Sequence, residues 1–173
     1  MKQTKIPFIL IFLLLISGNV FAGPFGLEQG MTKNQIEALI QSKLNQVDTS
    51  SYKSKTAPKP NSLFTEYTYT ISPKHGLCQI RATNDNIGDA KATNTYASQL
   101  TNTLIKKYGN NYKEIYPGLI QWVEDDGPLI DDLRVILFSA GEKNGKNILF
   151  IMYEFRNALK WAEEMKEADA NSL

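Results

Sequence analysis

The sequence predicts an α+β domain: an antiparallel sheet of two hairpins, extended by one edge strand, with helices packed on one face in the order α-β-β-α-(β)-β-β-α. Three observations carry this reading. Apolar residues recur at helical spacing in three separated segments, two pairs of strand-length runs are joined by turn-forming residues, and a short apolar run, Leu119 to Val123, stands between the second helix and the last hairpin.

In chain order, the opening "MKQTKIPFILIFLLLISGNVFAG" has lysines at Lys2 and Lys5, an apolar stretch from Ile6 to Ile16, and small residues before a cleavage point after Ala22. That is the pattern of a secretory signal peptide, and the stretch is shorter than the roughly 20 residues of a bilayer-spanning helix. No cysteine follows the site to carry a lipid, so a soluble periplasmic or secreted bacterial protein is expected, formed of residues 23–173 as one domain. Nineteen basic residues less Lys2 and Lys5 leave 17, against 18 acidic, for a mature charge of −1. Such a balance points to neither nucleic acid nor a lipid surface.

The mature chain begins with Thr32 and Gln35 as a capping box ahead of Ile36, Leu39, Ile40 and Leu44, which predicts a helix over 33–44. Residues 45–62 are polar, contain two prolines and lack periodicity, so they read as a mobile loop. In "LFTEYTYTI" Leu63, Tyr67, Tyr69 and Ile71 share one face and Glu66, Thr68 and Thr70 the other, "SPKHG" turns the chain, and "LCQIRAT" returns. Thr93 caps a helix over 94–108 with Tyr96, Leu100 and Leu104 as its stripe and Gly109 as its stop. The last third reads as a hairpin, "RVILFSA" and "KNILFIMYEF" around "GEKNG", followed by a helix over 157–168 with Ala158, Trp161, Ala162 and Met165 on one side, and a fraying tail 169–173. A helix-then-hairpin unit thus occurs twice, around 31–83 and 93–155, which suggests an internal duplication.

His75 and Cys78 are the only histidine and the only cysteine. They cannot supply the three or four ligands of a zinc site. Alternation places Cys78 on the face of Ile80 and Ala82, pointing into the core, where burial makes a thiol inert. His75 lies on the turn, at a spacing that turns it away from Cys78. No phosphate-cradling glycine loop and no G-x-S-x-G elbow is present, so no cofactor and no catalytic residue is assigned. Glu124, Asp125, Asp126, Asp131 and Asp132 offer hard oxygen ligands, but their spacing is not that of an EF-hand loop.

The aromatics suggest recognition instead. Tyr112, Tyr116 and Trp122 run into the acidic turn, so Tyr112, Tyr116, Trp122, Asp125, Asp126, Asp131 and Asp132 form the candidate partner surface, Trp122 as anchor and the aspartates steering a basic target.

Around "GLEQGMTKNQIEALI" the chain resembles the start of the SmpA/OmlA small envelope proteins, in which a Gly-Met-Thr turn caps a first helix. With "SPKHGLCQI", "KKYG" and "YEFRN" it also resembles exported bacterial proteins of undefined function. The first resemblance implies an envelope setting and a short sheet. The SmpA/OmlA fold and the related fold of the β-lactamase inhibitor proteins present a sheet face or loops to another protein. The expected function is a non-enzymatic protein-binding domain: an inhibitor, an immunity-type protein or an envelope accessory factor. The alternatives are a calcium-dependent hydrolase built on the acidic cluster and a carrier of a small apolar ligand.

Overall fold

A computed structural model describes residues 23–123, 132–143 and 145–170. The fold is α+β, with an antiparallel sheet and three α-helices. After a single 3-10 turn at Pro24–Gly26 come α1 (Lys33–Ile40), β1 (Asn45–Gln46), β2 (Ser51–Ser54), β3 (Glu66–Ser72) and β4 (Gly76–Ile87). The second half holds α2 (Ala90–Tyr108), β5 (Lys113–Tyr116), β6 (Leu119–Val123), β7 (Leu133–Lys143), β8 (Lys146–Phe155) and α3 (Asn157–Ala170).

The eight strands lie in the order β1-β2-β3-β4-β8-β7-β6-β5, every neighbour antiparallel. Each half is therefore a helix followed by a four-stranded meander that runs from an outer edge inward, and the two meanders meet where β4 pairs with β8. The antiparallel pairs β3–β4 and β7–β8 are the inner halves of these meanders, and β1, β2, β5 and β6 extend the sheet beyond them. Both outer edges are short, two residues in β1 and four in β5, which limits pairing with other chains.

The predicted loop over 45–62 contains β1 and β2. Asp48 closes the turn between them, its Oδ1 accepting from the N–H groups of Ser50 (2.9 Å) and Ser51 (2.7 Å). The segment is then tied down by tyrosines: Tyr69 donates its hydroxyl to Thr56 O at 3.0 Å, and the Tyr67 hydroxyl accepts from Asn61 N at 3.0 Å. α1 keeps its predicted capping box but stops at Ile40, where Gln41 adopts a left-handed conformation (φ 54°). Glu37 then gathers the following turn, accepting from Leu44 N and Lys43 Nζ, both at 2.9 Å. α2 begins a turn earlier than expected because Asp89, not Thr93, caps it; Asp89 Oδ1 accepts from Ala92 N at 2.7 Å.

Alternation along the strands separates the two sheet faces. Tyr67, Tyr69, Ile80, Ala82, Leu149, Ile151, Phe155, Ile136, Phe138 and Trp122 turn toward the core, where Ile36 of α1 and Leu100 and Leu104 of α2 cover them. Phe25 closes the middle of this core edge-on to Tyr67 (5.0 Å between ring centres), Tyr153 (5.7 Å) and Phe64 (5.9 Å). Among its described side chains α3 contributes none to the core cluster, and Ala162 and Met165, predicted for its buried side, are exposed. The helix rests on the turn between β3 and β4: Asn157 Nδ2 donates to His75 O (2.8 Å) and Leu77 O (3.0 Å), and Glu164 pairs with Lys74 and His75. Tail residues 171–173 lie outside the described residues.

The candidate partner surface

The sheet face opposite the helices has no described element packed along its centre. Its side chains form rows set by the strand registers. One row runs across six strands through Tyr116, Leu119, Ser139, Phe150, Thr83 and Glu66. The next contains Gln121, Met152, Arg81, Thr68 and Lys53. On β8 the contrast between parities is sharp: Leu149 and Ile151 are 0 % exposed, whereas Ile148, Phe150 and Met152 are half-buried with no described element over them. Apolar residues on both parities of a central strand leave one set facing outward, the composition of a contact surface.

Charged groups frame these apolar residues. On one flank Glu66 accepts from Lys53 (2.6 Å) and Lys55 (3.2 Å); the hydrogen bond from Lys53 dominates and holds the Glu66 carboxyl below its ordinary range despite partial burial. On the other, Arg134 pairs with Glu154. Between Glu66 and the β7–β8 end the face hollows into a cleft of about 690 Å³, whose walls include Lys55, Arg81, Asp85, Lys146, Ile148 and Phe150.

The structure separates the residues that the sequence had grouped. Trp122 is 0 % exposed, its Nε1 donating to Gly109 O at 3.0 Å, so it is a core residue and not an anchor for a partner. Its place follows from alternation, since Trp122 shares the inner parity with Ile120 and stands opposite Ile136. Tyr112 is 38 % exposed and lies against it at 5.0 Å between ring centres, a lid on Trp122. Tyr116 alone of the three is strongly exposed, at 68 %, and its register with Leu119 places it at the end of the open-face row. Asp132 is exposed and left-handed (φ 56°), with its carbonyl accepting from Arg156 N. Asp125, Asp126 and Asp131, like Glu124, lie outside the described residues, so the acidic turn has no geometry to set beside the open face.

Cys78 is 1 % exposed and burial pushes its thiol up from the ordinary range, as the sequence suggested. It lies among the buried residues of the core, at a bulge where the register shifts between Thr70 and Ile71 so that Leu77 stands opposite Ile71, and its Sγ is directed to Gly76 O at 3.3 Å. His75 Nε2 faces Glu164 Oε2 at 3.0 Å instead of the thiol. Among the described residues no group of three His, Cys, Asp or Glu side chains is placed to hold a metal ion, and no helix is long and apolar enough to cross a membrane.

The signals in the sequence that could have revealed the open face were the apolar residues on both parities of "ILFIMYEF" and the pairing of Tyr116 with Leu119 around Pro117–Gly118. Compared with protein-family models, with characterised proteins and with solved structures, the chain matches none of them.

Proposed function

We propose that this chain is an exported, non-enzymatic domain that binds another protein through the open face of its sheet, as an inhibitor, an immunity-type protein or an envelope accessory factor. The observation that carries the reading is the outward parity of β8. Ile148, Phe150 and Met152 are held half-buried on a central strand of the sheet, with Tyr116 and Leu119 in the row of Phe150 and salt-bridged charges at its margins. An apolar centre ringed by paired charges is the anatomy of a protein interface. Of the aromatics singled out in the sequence, Tyr116 belongs to this surface, while Trp122 and Tyr112 support it from within and beside the edge.

Site-specific photocrosslinking in the exporting cell tests the proposal. A photoreactive phenylalanine derivative replaces Met152 in one strain and Asn102, exposed on α2, in another. An adduct formed from position 152 and abolished by Phe150→Arg is the expected result. Adducts formed only from position 102 would place the partner on the helix face and overturn the assignment.

A further inference from the structure

Resting on that reading, we infer that the segment of the partner seated on the open face is acidic and apolar: a carboxylate-bearing loop whose charge enters the cleft between Arg81 and Lys146 while its apolar side chain lies on Phe150. The cleft brings three cations, Lys55, Arg81 and Lys146, together with two carboxylates, Glu66 and Asp85. Glu66 is already engaged twice, by Lys55 from the wall and by Lys53 from beside it. The side chains of Arg81 and Lys146 make no ion pair or hydrogen bond among the described residues, and both residues are exposed. Among the described residues lining the cleft the uncommitted charge is therefore positive, with Asp85 opposing it.

Position makes these cations useful. Arg81 stands opposite Met152 on β8, and Thr83, two residues on, stands opposite Phe150, so the guanidinium stem lies beside the apolar centre of the face. An arginine there offers a planar fork for a carboxylate and an apolar stem for contact. Lys146 begins β8 and supplies a second positive point at the rim of the same cleft. Long cations with no partner among the described residues steer and select more than they stabilise the fold, and the sign they select is negative.

The probes are three fluorescent hexapeptides with one apolar frame, Gly-Phe-X-X-Phe-Gly, in which X-X is Asp-Glu, Asn-Gln or Lys-Arg. Binding is read by anisotropy at low salt up to about 5 mM, enough to fill a site with a Kd near 1 mM. The full chain, Arg81→Glu with Lys146→Glu, and Phe150→Ala are compared after circular dichroism has shown that each is folded. The expected result is roughly tenfold tighter binding of the acidic peptide than of the basic one, a reversal of that order in the doubly charge-reversed chain, and weakening of all three peptides by Phe150→Ala. Equal binding of the three peptides, all weakened by Phe150→Ala, would overturn the acidic partner and leave the sheet face standing. Binding insensitive to every substitution, or no binding at all, would overturn both.

Discussion

Gly76→Ala is the sharpest test of how the two ends of the first half are joined. Gly76 has φ +68°, and a Cβ placed on it would lie 2.0 Å from Gly30 O and 2.4 Å from Gly30 C, both backbone atoms that cannot swing aside. The Gly30 segment is fixed by two backbone hydrogen bonds, Gly30 N to Leu77 O at 3.0 Å and Leu77 N to Met31 O at 2.8 Å. Separating these segments by about 1 Å to admit a methyl group sacrifices both bonds, at about 0.5–1.5 kcal/mol each. The left-handed backbone adds about 1–2 kcal/mol for any residue with a Cβ. Gly145→Ala is the control, because Gly145 also has positive φ (+73°) but a Cβ there meets nothing within 4 Å. The backbone term is common to both substitutions, so Gly76→Ala should cost about 1–3 kcal/mol more than Gly145→Ala. Urea unfolding followed by circular dichroism measures the difference. Equal midpoints and slopes for the two variants would refute the close approach of Gly30 and Gly76 on which the reasoning depends.

Three further outcomes are expected. Trp122→Phe leaves Gly109 O without its indole donor and should cost about 1–3 kcal/mol, whereas Trp122→Ala should cost about 3–5 kcal/mol through the cavity it opens; an exposed anchor would lose far less, so urea midpoints decide. The Cys78 thiol should resist a water-soluble alkylating reagent in the native state and react at once in urea, and rapid native labelling would contradict its burial. Glu164 is held below its ordinary 4.5, chiefly by the hydrogen bond from Lys74 and then by that from His75. A depressed carboxyl stabilises the folded arrangement above its unfolded pKa and loses that contribution as pH falls through the folded one. Hydrogen exchange in α3 should therefore lose protection relative to the sheet as pH drops below about 4.5, and Glu164→Gln should flatten this dependence; an unchanged profile would show that the pair does not hold the helix.

The strong local signals of the fold were legible. Thr32 and Gln35 announced α1, and the alternation in "EYTYTI" set Tyr67 and Tyr69 on one face, the face that the fold buries. Elements stabilised by neighbours were not. "SYKS" in β2 and "KEIY" in β5 carry no apolar alternation and become strands because β3 and β6 offer them a ladder. Thr93 looked like a cap, but its hydroxyl donates to Asp89 O at 2.9 Å within the first turn, the back-bonding a mid-helix threonine often makes. The long apolar run of β8 lies at the centre of the sheet, yet a run apolar on both parities cannot say by itself that one of its faces has no described element over it. Of the three aromatics, Tyr116 was legible as exposed but Trp122 was not legible as buried, because the run from Leu119 to Val123 does not say which parity points inward until the pairing of β6 with β7 fixes it.

The seam where β4 meets β8 sets what would happen to the chain if it were divided. Cut in the short link between Ile87 and Ala90, the sheet of each piece would end in the strand that now lies at the middle, twelve residues in one and ten in the other, with an entire rank of N–H and C=O groups left bare. Such a flank invites the first complementary strand it meets. Co-expressed fragments should therefore find each other and rebuild the whole, while either one made alone should couple to its own twin or precipitate.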